Sequence, residues 1–286
     1  MAVRILSTFF PDLFKWTVKR IGLDPQAVVD DSCPLPVLQL GDGAKVDWPL
    51  LMPVVVSGVI ISLFLACDLF SKGRQLMATR HGDFVHYWAT SHLCYAVMNA
   101  SAIFVHCLDD TISDFWVEQM TIVDVTATAC SSSSFIFASI TYRRRANGGR
   151  KGPYLLLRLV HLALFGVFIA IGESQRPFTR EFLWIGVTSV SVIFVYTRDV
   201  ICALSPVLSH TRKWLVLALL SVFTFSSLML LGVFGHRCGI VSQAAMPLGF
   251  FGHNVGMMCL WCYARMLIDY HAEALHGCTH KGAKGG

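Results

Sequence analysis

Charge is scarce in this chain. Asp, Glu, Lys and Arg make up 14% of its 286 residues, where soluble domains carry about 25%. With 55% hydrophobic residues and a mean hydropathy of +0.59, that shortage excludes an ordinary soluble domain. Other absences narrow the reading further. The ten cysteines form no paired C-x-x-C framework, so neither a zinc-ribbon nor a dense disulfide scaffold is expected. Cys259 and Cys262 form a lone C-x-x-C and read as packing residues. Cys33, Cys107 and Cys238 fall on one side of the expected topology, where two of them could pair in an oxidising compartment. No tract has the spacing of a phosphate-binding loop, a G-x-S-x-G elbow or an H-E-x-x-H zinc helix. Met1–Gly22 lacks the continuous apolar core of a cleavable signal peptide, so the first span is expected to act as the insertion signal.

What the chain has in abundance is long apolar segments. Seven of them fill Leu50–Phe70, Phe84–Cys107, Phe115–Tyr142, Tyr154–Gly172, Phe182–Leu204, Trp214–Phe234 and Val241–Tyr270. Each approaches or exceeds the roughly 20 residues that a helix needs to cross ~30 Å of hydrocarbon. Helices are the open-chain elements that satisfy their own backbone groups in lipid. The expected fold is therefore all-α, a polytopic membrane protein of seven transmembrane helices. Residues 1–48 are expected to be an N-terminal tail, 49–270 the transmembrane domain and 271–286 a cytosolic tail, with about one turn of helix after Asp269. Ile5–Ile21 mixes apolar residues with Lys15, Lys19 and Arg20, and reads equally as an amphipathic surface helix or as a plain tail. Asp30 to Gly43, with its Pro and Gly residues, reads as loop.

The small amount of charge is ordered. Lys72, Arg74 and Arg80 follow the first segment, Arg143, Arg144, Arg145, Arg150 and Lys151 the third, and Arg212 and Lys213 the fifth. The alternate loops carry no basic excess. Basic loops stay in the cytosol, which places the N-terminus outside or in a lumen and the C-terminus in the cytosol. The same alternation argues against a nucleic-acid-binding role for these basic runs. The expected setting is the plasma membrane or the endoplasmic reticulum and Golgi, with membrane lipids as partners.

Ionisable groups inside spans are costly and are functional candidates. Here they are His92, His106, Glu118, Asp124, His161, His253 and Arg265. Arg158, Arg198, Asp199, Arg265 and Asp269 lie near cytosolic ends, from which they can snorkel. His106, Asp124 and His253 fall in one leaflet by topology. Two imidazoles and a carboxylate suit zinc, and they also suit a buried hydrogen-bonded triad; on composition alone the structural cluster is favoured. The hydroxyl-rich run of the third segment, Thr121 to Ser134, reads mainly as close helix packing.

The run Ser101-Ala-Ile-Phe-Val-His106-Cys-Leu-Asp109, then Asp124, then Gly252-His253 resembles the CREST superfamily. Those seven-helix membrane proteins include alkaline ceramidases, progestin/adiponectin-type receptors and the myomaker and transmembrane-protein-8 branch; the His-Cys-x-Asp run looks most like the last. The resemblance implies a zinc site and hydrolysis of lipid amides or esters. It places His106 and His253 as metal ligands, with Asp124 and Ser101 in the catalytic roles. Two positions depart from the pattern. The family Ser precedes its His by four residues, whereas Ser101 precedes His106 by five. The second His of the last-helix H-x-x-x-H is Met257, a poor zinc ligand. A third nitrogen would then come from His236. The alternative is a non-catalytic relative with a decayed site, receptor-like or acting in membrane remodelling. An opsin is set aside because residues 241–270 contain no lysine for a Schiff base. A transporter is disfavoured because the spans show no internal repeat.

Overall fold

The computed structural model describes residues 11–12, 15–16, 37–40, 45–76, 82–108, 111–146, 154–171, 186–188, 190–191, 193–195, 211–222, 224 and 240–282. The amphipathic stretch expected over Ile5–Ile21 lies largely outside them, as do His236, Cys33 and Cys238. A short antiparallel hairpin, β1 (Val37–Gln39) and β2 (Lys45–Asp47), precedes seven helical stretches. These are α1 (Leu51–Leu76), α2 (Gly82–Cys107), α3 (Asp114–Ala146), α4 (Tyr154–Ile171), α5 (Gly186–Val195), α6 (211–222) and α7 (Ile240–Gly282). The described residues are mostly helical, in keeping with an all-α fold.

Several boundaries differ from the sequence expectation. β1 and β2 occupy ground read as loop and tail, because three residues of pairing are too short to show a period in the sequence. α1 continues six residues past Phe70 and takes in Lys72 and Arg74. α7 runs to Gly282 instead of stopping a turn after Asp269. Ala272, Glu273, Ala274 and Leu275 are strong helix formers, so the helix has no local reason to end there.

Local signals explain the helix starts. Trp48 adopts a left-handed φ of 51°, and its carbonyl accepts from Leu51 N at 2.7 Å, turning the chain into α1. Pro53 sits in the first turn, where its missing N–H costs no helical bond. Ser113 stands before α3, its carbonyl accepting from Trp116 and Val117 at 2.8 and 3.1 Å, and Asp114 occupies the positive end of the helix dipole. α2 and α3 are joined by a tight turn in which Thr111 and Ile112 donate to the Leu108 carbonyl.

α2 is the central element, flanked by α1 and α3, with α7 packed on α1 and α2. Away from the hairpin, the core is aromatic. Trp88 is buried between Phe135 and Tyr263, with ring centroids 5.2 and 5.6 Å apart. Each such pair contributes about 0.5–1.5 kcal/mol beyond area burial. At the hairpin end, Val46, Leu51, Val55, Tyr95, Ala102, Cys107, Phe250 and Met257 form a second cluster. α3 and α4 share a third, with Phe168 fully buried.

Among the described residues two helices, α1 over Leu51–Arg74 and α3 over Asp114–Tyr142, are long and apolar enough to cross a membrane. Leu155–Ala170 and Gly186–Val195 are apolar but shorter. The expected packing role of the α3 hydroxyls is visible at three neighbours. Ser91 and Ser131 each donate to the other's carbonyl, at 2.9 and 3.0 Å, tying α3 to α2. Ser132 donates to Thr188 of α5, and Ser134 meets His161 Nε2 of α4 at 3.3 Å.

Candidate functional site: a polar layer on α2, α3 and α7

Ser101 and Asp124, separated by 23 positions, are brought together where α2 packs on α3. The Ser101 hydroxyl lies 3.4 Å from Asp124 Oδ1. It lies closer to two carbonyls of its own helix, 2.9 Å from Met98 O and 3.1 Å from Val97 O. One hydroxyl proton cannot serve three acceptors at once. The shortest contact takes it, so the reach to Asp124 is long and Ser101 is held mainly by α2. Ser101 is buried and Asp124 half-buried.

His106 stands one helical turn and more beyond Ser101, toward the hairpin. Its ring packs edge-on against Phe250 of α7, with centroids 5.8 Å apart. His253 is three residues further along α7, on the adjoining turn, and is half-buried like His106. The structure thus brings Ser101 to Asp124 across α2 and α3, and His106 to Phe250, one turn before His253, across α2 and α7. Among the described residues, however, no group of three or more His, Cys, Asp or Glu could hold a metal ion. His236 lies outside the described residues. Met257 does not supply the missing ligand either: its side chain is buried in the apolar cluster, and its carbonyl is 3.1 Å from His92 Nε2.

His92 belongs to the scaffold. Its two ring nitrogens lie against the carbonyls of Trp88 and Met257, at 2.8 and 3.1 Å, which ties α2 to α7.

Two arrangements escaped the sequence reading. The first is a pair of amides one to two turns below His106. Tyr95 donates to Asn254 Oδ1 at 3.2 Å, Asn254 Nδ2 donates to the Val54 carbonyl at 3.1 Å, and Asn99 Nδ2 donates to the Tyr95 carbonyl. The fully buried Asn99 leaves its Oδ1 without a hydrogen-bond partner. A search for ionisable groups passes over amides, although an amide in a span is nearly as informative. The second lies at the opposite end. Asp68 of α1 accepts from Trp261 Nε1 at 2.8 Å and from Arg265 at 3.0 and 3.2 Å, both on α7. Trp261 and Arg265 are one turn apart, a spacing that could have flagged a shared acceptor.

Compared with known protein families, curated proteins and solved structures, the chain matches none of them.

Proposed function

We propose that this chain is an integral membrane protein of seven spans, with its N-terminus outside or lumenal and its C-terminus cytosolic. In this reading it works through contacts with membrane lipids or membrane partners instead of metal-assisted hydrolysis. One observation carries the proposal: large apolar side chains face outward on five helices while polar side chains are buried between helices. Ile60, Phe64, Leu93, Leu159, Leu162, Leu220, Phe251 and Met258 are exposed on five different helices. Ser91, His92, Asn99, Ser101, Ser131 and Asn254 are buried between those helices. Only 33% of the apolar window of α1 is buried, so most of that face looks outward, unlike a soluble core helix. Apolar patches on this scale are aggregation sites in water and are solvated in lipid. The test is retention in the membrane pellet through an alkaline carbonate wash. Release into the supernatant would contradict the reading.

A second reading is a CREST-like hydrolase of lipid amides or esters. The observation favouring it is the contact of Ser101 with Asp124, the two residues to which the resemblance assigns catalytic roles. Zinc in the purified protein at one equivalent, measured by elemental analysis, would move the conclusion to this reading.

A further inference from the structure

The hairpin sits at the end of the fold where α1 and α3 both begin. The Thr111 hydroxyl donates to the Lys45 carbonyl at 2.6 Å and accepts from Lys45 N at 3.0 Å, which pins β2 to the α2–α3 turn. α1 starts four residues after Asp47, and α3 starts three residues after Thr111. These are the two helices whose length and apolarity suit a membrane crossing. The hairpin is therefore held at the level where both would enter the bilayer.

Its register gives its two faces different surroundings. Leu38 pairs with Val46, and Gln39 with Lys45. Directly paired residues share a face, and successive residues alternate. Val46 is buried in the cluster with Cys107 and Phe250, so its face is turned toward the helices. Leu38 shares that face and is 49% exposed. Leu40, just past the end of β1, is also exposed. Leu50, Phe115 and Trp116, at the starts of α1 and α3, add three more exposed apolar side chains to the same rim. Aromatic residues at span ends favour the headgroup region of a bilayer.

We infer that the exposed Leu38 and Leu40 of the hairpin, together with Phe115 and Trp116 at the start of α3, form a lipid-binding rim seated in the headgroup layer of the leaflet at the hairpin end. On the opposite face Gln39 and Lys45 are exposed and turned to water, while Asp47, at the α1 end of the same face, is buried. Through Val46, the same hairpin covers the end of α2 that carries His106 and Cys107. Its seating in lipid therefore also fixes the cap over the polar layer. The inference rests on α1 and α3 being membrane spans.

The experiment places a nitroxide, through single cysteines, at residues 38, 39, 40, 45 and 64 in turn. The protein is reconstituted in phosphatidylcholine/phosphatidylglycerol vesicles, with its other accessible cysteines replaced by serine. Collision rates are read with oxygen, which concentrates in lipid, and with a water-soluble nickel complex. Residues 38 and 40 are expected to shift toward oxygen, and 39 and 45 toward nickel, an alternation that follows the register. Equal nickel access at 38 and 39 would overturn the inference. Shielding of 38 from both reagents would overturn it too, because it would mean that a protein surface covers the strand. Residue 64 replaces the outward-facing Phe64 of α1 and reports on the span itself. Loss of oxygen preference there would overturn the membrane reading, whereas loss at 38 and 40 alone would overturn only the rim.

Discussion

Gly58 of α1 and Asn254 of α7 meet with no room for a methyl group between them. A Cβ on residue 58 would lie 2.7 Å from Asn254 Oδ1, and equally close to Asn99 Oδ1. This close approach lets Asn254 reach the Val54 carbonyl one turn back on α1. Gly58→Ala should therefore destabilise the protein by about 1–3 kcal/mol, the usual range for overpacking. Gly166→Ala, where nothing lies within 4 Å, should show no such cost. Thermal unfolding in detergent separates the two, and matching melting temperatures would mean that α1 and α7 are not packed this closely.

The Asp68 clamp should contribute measurably but not greatly, since Asp68 and Arg265 are each 24% exposed. Asp68→Ala removes the acceptor for both Trp261 and Arg265, and should cost about 1–3 kcal/mol after allowing for solvent screening. Asp68→Asn keeps an oxygen for the Trp261 indole and loses only the charge, so it should fall between Asp68→Ala and the unaltered protein. A melting temperature unchanged by Asp68→Ala would contradict the clamp.

Asp124 offers a different expectation. Its recorded contact is a long one to a hydroxyl that its own helix already satisfies. Asp124→Ala should then cost about 1 kcal/mol or less, as for a weak neutral hydrogen bond. A loss of about 3–5 kcal/mol would be the mark of a broken buried ion pair and would show that Asp124 has a charged partner.

Much of the fold was legible because apolar runs of span length are hard to misread. The starts of α1, α2, α3, α4 and α7 fall within two residues of the sequence expectation. The serines of α3 were legible as packing residues, since small hydroxyls in a span have few other uses. The hairpin was not legible, because its strands are three residues long and embedded among turn formers. Nor was the Asp68 clamp: Arg265 near a span end reads as a snorkelling side chain, and its partner lies 197 positions away. Spacing along one helix shows which residues share a face. It does not show which face of another helix they meet, and for that reason the sequence put His106, Asp124 and His253 in one layer without fixing their mutual geometry.

Met257 supplies a direct test of the two functional readings. In a decayed zinc centre, Met257→His restores an imidazole one turn after His253, and zinc affinity should rise. In the non-catalytic reading neither form binds zinc above background, since three protein ligands are the norm for zinc and no such group converges among the described residues. The new imidazole should also perturb the apolar cluster in which Met257 is buried, lowering thermal stability. Stoichiometric zinc in the unaltered protein would favour the hydrolase.

The central claim is a seven-span protein with its N-terminus on the outer side. The most direct measurement is labelling of single cysteines in intact cells with a membrane-impermeant maleimide. A cysteine at Gly43, in the connection between β1 and β2, should label, and one at Gly148, in the basic stretch between α3 and α4, should be spared until the cells are permeabilised. Labelling at Gly148 with protection at Gly43 would contradict the account, because it would turn the hairpin, the polar layer and the basic loops to the opposite sides of the membrane.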